Sequence, residues 1–215
     1  MARITKDPEV RKLELVKTAM DLFRENGYEQ TSVSDIVKKV GVAQGTFYYY
    51  FQSKDGMVDA IIDYNLRNNL EKNVRSIMAD DSTDATQKLQ LIVEASILMN
   101  NGEHSYAEYM GAKNAMLRQK FRVRYNEIFV PLITEIVEQG IDKGIFHDSH
   151  PRETVELLMA MFGLLYDQIS LSPCPADFER MLHTAEDIAA KALGAKEGSI
   201  RINLRKNRAS GPADR

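Results

Sequence analysis

Thr31-Ser32-Val33-Ser34-Asp35-Ile36-Val37-Lys38-Lys39-Val40-Gly41-Val42-Ala43-Gln44-Gly45-Thr46-Phe47-Tyr48-Tyr49-Tyr50-Phe51 reads as two short helices joined by a glycine turn. Val33, Ile36, Val37 and Val40 recur at helical spacing, and Gly41 supplies the backbone freedom for a sharp turn. Val42, Phe47 and Phe51 give the second helix its own apolar anchors, which leaves Gln44, Thr46, Tyr48, Tyr49 and Tyr50 to face outward. Gln bonds the N6 and N7 edge of adenine, Thr touches a thymine methyl or a phosphate, and Tyr hydroxyls bond phosphate oxygens. That inventory suits a recognition helix in a major groove. Ser32 and Asp35 have the spacing of a capping box, and Thr31 or Ser32 is placed to close the first orphan amides at a helix start that is also a phosphate site. The plainer alternative is a helical hairpin with a tyrosine-rich solvent edge.

A wider window adds order to these residues. Phe23-x-x-x-Gly27-Tyr28-x-x-Thr31-Ser32-Val33-x-Asp35-Ile36, followed by Gly41-Val42-Ala43-x-Gly45-Thr46-Phe47-Tyr48-Tyr49-Tyr50-Phe51-x-x-Lys54-Asp55-x-Met57, resembles the amino-terminal domain of the TetR family of transcriptional regulators. The resemblance spans roughly residues 10 to 60, and the rest of the chain matches in layout only. It implies that Thr31 caps the second helix against a phosphate and that Gln44 and Thr46 reach base edges or nearby phosphates. It further implies that Tyr48 and Tyr49 grip the backbone and thymine methyls, and that Lys54 neutralises a phosphate at the start of a fourth helix. Ser32, Gly45 and Tyr50 complete the DNA-facing set, with Tyr50 either on DNA or packed, and Phe47 and Phe51 are core. Ala43 stands where the family often has Ser, so a side-chain cap is not expected there.

With 215 residues, 44% of them hydrophobic, the chain can bury the core of one small and one medium domain. Its one cysteine, Cys174, excludes an internal disulfide and fits a reducing cytoplasm. Cys174 lies between two prolines with no basic neighbour to activate it, so it reads as incidental rather than as a redox sensor. No apolar run approaches the roughly eighteen residues of a membrane span, and the first residues are polar, so neither insertion nor secretion is expected. The net charge of -3 is unevenly spread: residues 1–54 carry 9 Lys or Arg against 7 Asp or Glu, residues 55–194 carry 13 against 22, and residues 195–215 carry 6 against 2. A mildly basic end and an acidic body orient a molecule on a polyanion. The small excess at the basic end leaves discrimination to specific contacts.

Nearly everything else reads as helix. Leu13, Val16, Met20 and Phe23 predict a first helix stopping near Gly27; Met57, Val58, Ile61, Ile62 and Leu66 predict a fourth starting after Ser53 and reaching about Ile77. Residues 80–84 break the pattern. Helices then follow at about 85–100, 103–112 and 114–142, the last kinked by Pro131 and ended by Gly144. Two more, at about 151–170 and 175–194, are the most apolar. Val155, Leu158, Met159, Phe162, Leu165 and Ile169 lie beside Met161, Leu164 and Tyr166, so this helix must be covered on more than one side. A second copy of the chain meets that need, with Gly163 allowing close approach; a monomer core helix is the alternative. By the resemblance, these two helices form a four-helix homodimer interface.

The middle of the body is rich in Tyr and Met, residues that suit an adaptable pocket as well as an ordinary core. Tyr106, Met110, Tyr125, Phe129, Met159, Phe162 and Tyr166 are the candidates to line an effector cavity. His147-x-x-His150 with Asp148 reads as a solvated loop rather than a metal site, and no phosphate loop, nucleophile elbow or Cys-x-x-Cys is present. No catalytic residue, metal or cofactor is expected. The resulting expectation is an all-α chain with a helix-turn-helix DNA-binding domain at 1–54, an effector-binding and dimerisation domain at 55–194, and a basic, disordered tail at 195–215 that either attracts DNA or is merely a soluble end. Its partners are a double-stranded operator, a small-molecule effector and a second copy, and its role is repression relieved by the effector. Two competing readings are a helical adaptor controlled by a protein partner and, more remotely, an enzyme carrying a vestigial DNA motif.

Overall fold

Helix α1, Pro8–Asn26, begins where Asp7 accepts hydrogen bonds from the amides of Glu9 and Val10, with proline in the first turn, and it stops at Gly27. The computed structural model describes residues 7–101, 115–171 and 175–202. Helix α2, Val33–Val40, has the expected capping box: the Ser32 hydroxyl accepts from the Asp35 amide at 3.2 Å, and the Asp35 carboxylate accepts from the Ser32 amide at 2.9 Å. Gly41 ends it with φ of +76°, a left-handed conformation that side chains with a Cβ avoid. The chain then enters α3, Gln44–Tyr50, a helix only seven residues long. Such a short helix is held by tertiary packing rather than by propensity.

That packing is a small apolar centre. Leu15, Ala19 and Phe23 of α1 meet Ile36 and Val37 of α2 and Phe47 of α3, all buried. Leu13, expected in the buried stripe of α1, is instead 36% exposed. The stripe is shifted toward Leu15, Ala19 and Leu22, which share the helical spacing of the expected set. Helix α4, Lys54–Asn65, closes the unit by packing on α1 and carries the core onward through Met57, Val58, Ile61 and Ile62.

The helical run does not end with α4. Residues Leu66–Glu71 form π-helical turns and Lys72–Met78 continue as α5, so the expected fourth helix is one rod with a widened middle. After the break at 79–84 come α6, Ala85–Asn101, and α7, Ala115–Asp142, which continues through Pro131. The expected helix at 103–112 lies outside the described residues. Helices α8, Pro151–Leu171, and α9, Pro175–Ala192, complete the body, with α7 packed on α6 and α8, and α8 on α9. Among the described residues every regular element is helical, and no helix is long and apolar enough to cross a membrane.

One expectation about the carboxy-terminal part is corrected. Residues 195–202, expected within a disordered tail, fold back onto the body, where Ile200 and Ile202 are 5% and 8% exposed. Two isoleucines give the segment an apolar side, and burying it offsets the loss of chain freedom. Cys174 and residues 203–215 lie outside the described residues.

Candidate nucleic-acid interface

Phe47 is fully buried and forms the root of α3, with Phe51 packed 5.4 Å away between ring centres. Anchoring one side of the helix fixes what the other side presents. Gln44 and Gly45 are exposed, Tyr48 and Tyr49 are 52% and 76% exposed, and Thr46 is half-buried. Tyr50 is half-buried, edge-on to Tyr49 at 4.8 Å and packed against the core, so its ring is in part structural. Ala43 makes no side-chain cap at the start of α3.

Ser32 is exposed at the start of α2, but its hydroxyl is shared with Asp35 at 2.6 Å. Those bonds hold the Asp35 carboxyl below the usual carboxylate range. Thr31 requires a correction: it does not cap α2. Its side chain is turned inward, the residue is 2% exposed, and its hydroxyl lies within hydrogen-bond distance of the Gly27 and Leu22 carbonyls at 2.9 and 3.2 Å. A buried hydroxyl needs such partners, and the end of α1 supplies them. The cap falls to Ser32, one residue later.

Lys54, the first residue of α4, reaches back over the same corner. Its ammonium lies 3.5 Å from the Glu29 carbonyl and 4.1 Å from the centre of the Tyr28 ring. Burial holds its pKa below the ordinary lysine value, with Glu29 acting in the opposite sense. The outward face of α3, the start of α2 and the head of α4 therefore offer amide, hydroxyl and ammonium donors from three consecutive elements.

Helix α4 is tied to the body by charge as well as by packing. Lys120 of α7 bridges Asp55 at 2.8 Å and Asp59 at 2.9 Å, and Arg124 pairs with Asp63 and Glu127. Burial lowers the Lys120 pKa, but hydrogen bonds to Asp55 and Asp59 outweigh it and the net shift is upward. The Asp63 hydrogen bond leads those that raise Arg124.

Within the body, a cavity of about 60 Å³ opens between α6, α7, α8 and α9. Met159 and Phe162 border it, as expected. Tyr125 and Phe129 do not border this cavity; they stack on each other with ring centres 4.5 Å apart, and the Tyr125 hydroxyl pairs with Ser96 at 3.0 Å. Tyr106, Met110 and the side chain of Tyr166 lie outside the described residues. Leu89, Val93, Ile200 and Ile202 also line the cavity and were not anticipated. The signal for the first two is the helical spacing Leu89-x-x-Ile92-Val93; for the last two it is the isoleucine pair within an otherwise basic, polar tail.

Two family models match separate parts of the chain. The family model for bacterial regulatory proteins, tetR family, matches residues 15–61, and that for a tetracyclin repressor-like C-terminal domain matches residues 98–174. The fatty acid metabolism regulator protein of Bacillus subtilis (strain 168) is 27% identical over 135 residues, covering 61% of this chain and 69% of the relative. The HTH-type transcriptional repressor KstR2 of Rhodococcus jostii (strain RHA1) is 31% identical over 143 residues, covering 65% and 69%. Among solved structures, the transcriptional regulator FadR from Bacillus subtilis in complex with stearoyl-CoA has a TM-score of 0.62 at 19% identity and covers 84% of this chain and 98% of its own, a likeness of fold.

Proposed function

The chain belongs to the TetR family of bacterial transcriptional regulators, and from that premise we propose that it is a homodimeric repressor that binds a pseudo-palindromic operator through α3 and is released when a small molecule enters its body. The observation that carries the DNA-binding reading is the split character of α3: Phe47 fully buried, Tyr48 and Tyr49 exposed on the other side with Gln44 beside them. In this reading residues 1–54 are the DNA-binding unit and residues 55–194 the regulatory one. Gln44 and Thr46 read bases, Ser32, Gly45, Tyr48, Tyr49 and Tyr50 lie against the groove and backbone, and Lys54 meets a phosphate.

The dimer reading is supported by apolar surface with the right periodicity. Leu157 and Leu164 on α8 are 73% and 61% exposed, and Met181 and Ile188 on α9 are 40% and 46% exposed. Each pair is seven residues apart, so each forms a stripe on one helix face. Two stripes on neighbouring helices suit isologous pairing with a second copy. A Cβ at Gly163 would lie 3.7 Å from Arg122 Cδ of the same chain, an ordinary contact with a flexible side chain.

The cavity supports a ligand-responsive body, and the stearoyl-CoA in the Bacillus subtilis structure is a precedent for a ligand with this fold. The test is selection of bound fragments from randomised and genomic DNA, followed by footprinting and a thermal-shift screen of metabolites. The expected outcome is an inverted repeat with half-sites about 34 to 36 Å apart. A ligand at about a hundred times its dissociation constant is expected to stabilise the protein by about 2.7 kcal/mol. Binding without sequence preference overturns the repressor reading. Sequence-specific binding that responds to no small molecule favours control by a protein partner.

A further inference from the structure

Glu186, on α9, is 1% exposed. A carboxylate that deep needs donors, and two of its three come from residues 201–202, beyond the end of its own helix. Its Oε1 accepts from the Ile202 amide at 2.7 Å and its Oε2 from the Arg201 guanidinium at 3.2 Å, while His183 Nδ1 lies 3.0 Å from Oε2. The same guanidinium nitrogen reaches Asp187 at 3.1 Å, and Gln90 of α6 donates to the Ser199 carbonyl at 3.0 Å. Between these polar attachments, Ile200 and Ile202 turn their side chains to the cavity bordered by α6, α7, α8 and α9.

The segment thus places two aliphatic groups on an apolar cavity and a cation on Glu186, whose other oxygen holds the amide of the cavity-lining Ile202. We propose that residues 199–202 are a built-in plug and that the effector is a lipophilic cation which displaces it, its charge replacing Arg201 on Glu186 and its apolar body replacing Ile200 and Ile202. This rests on the reading of the cavity as an effector site.

The head-group choice follows from what displacement leaves behind. A neutral hydrocarbon that pushes the plug aside leaves Glu186 without its guanidinium and amide partners, and stripping partners from a buried charge is strongly unfavourable. An alkyl carboxylate adds a third negative charge beside Glu186 and Asp187. An alkylammonium restores the lost pairing, so only this head group offsets removal of the plug. Arg201 is about half exposed, so it is an exchangeable competitor rather than a sealed part of the core.

The experiment compares three molecules with one eight-carbon chain, octylammonium, 1-octanol and octanoate, by titration calorimetry on the full-length protein at neutral pH. Octylammonium is expected to bind at least tenfold more tightly than the other two. Glu186→Gln, which keeps the shape and an acceptor for Ile202, is expected to erase that preference. Arg201→Ala removes the internal competitor and is expected to tighten octylammonium several-fold, and this surface variant keeps the test open if Glu186→Gln fails to fold. Equal binding of all three, or octanoate binding best, overturns the cation and plug assignment while leaving an effector cavity. Binding of none of them overturns both. Octylammonium binding unaltered by Arg201→Ala overturns the plug.

Discussion

The Lys54 ammonium sits 4.1 Å from the centre of the Tyr28 ring, so the first residue of α4 is fixed to the corner between α1 and α2. This pair joins two quantities usually treated separately, the charge proposed to meet a phosphate and the stiffness of its support. Lys54→Ala is expected to weaken binding to every sequence and to reduce the slope of log affinity against log salt by about 0.9 per protomer. Tyr28→Leu leaves the charge in place, so affinity is expected to fall with the slope unchanged. Affinities across a salt series for both variants check this; matching slopes in wild type and Lys54→Ala would remove the phosphate contact.

Gln44→Ala is expected to act differently. Loss of a base-edge contact costs about 1 to 3 kcal/mol at one position of each half-site and leaves the salt slope unaltered. A randomised-site selection that returns the wild-type preference would exclude Gln44 as a base reader.

The exposed stripes on α8 and α9 carry a prediction about assembly. Replacing Leu164 with Glu sets a charge in a surface expected to be dry, so sedimentation is expected to shift from a dimer to a 24.4 kDa species. Operator affinity should fall with it, because one half-site alone then holds each protomer. Sedimentation of the wild type as a monomer at micromolar concentration would refute the interface.

Asp35 gives a pH dependence with a defined sign. Its hydrogen bonds to Ser32 lower its folded pKa below the unfolded value, so it favours the folded state fully above about pH 3.9. That contribution disappears as pH falls through the folded pKa. Ser32→Ala is expected to raise the Asp35 pKa and to shift acid unfolding toward higher pH, which carboxyl-carbon NMR and far-UV circular dichroism measure. An unchanged Asp35 titration would mean that the capping box is not formed in solution.

The ion pairs between α4 and α7 bear on regulation. Lys120 and Arg124 are partly exposed, so removing both with Met substitutions is expected to change stability by under about 1 kcal/mol per pair. Ligand and operator binding are expected to oppose each other by about 1 to 3 kcal/mol, and the same substitutions are expected to diminish that antagonism. The measurement is the affinity of a ligand from the thermal screen with and without saturating operator. Identical wild-type values exclude the coupling, and tighter binding on DNA makes the ligand a corepressor.

The start of α2 and the ends of α1 and α2 were legible because each has a local chemical cause: the Ser32 and Asp35 box, and the glycines at 27 and 41. The anchors Phe47 and Phe51 were legible for the same reason, being apolar residues set among polar ones. The buried edge of α1 was not, since Leu13 and Leu15 fit helical periodicity equally well and only the partner helices choose between them. Nor was the direction of the Thr31 hydroxyl, which is decided by carbonyls four and nine residues earlier in the chain. The cavity was half legible: Met159 and Phe162 lie in an apolar helix, whereas Ile200 and Ile202 depend on a fold-back attached through Glu186.

The π-helical turns at Leu66–Glu71 impose a condition on chain length. Val58, Ile62, Leu66, Leu70 and Val74, each four residues from the next, are all 1% exposed or less. Four residues overshoot an α-helical turn by about 40°, so an unbroken α-helix would carry the last of these about 160° away from the first. Wider turns with i→i+5 bonding advance less per residue and take up much of that drift. The rod from residue 54 to residue 78 therefore holds its buried edge in phase by accommodating an additional residue in its wide middle. Deleting one residue from 67–69 lets those turns close to ordinary α-helical bonding with the upstream half nearly in phase, whereas deleting one from the α-helical stretch 72–76 turns everything upstream by about 100° about the rod axis, so a single codon lost there would aim α3 at a different azimuth with its every side chain intact.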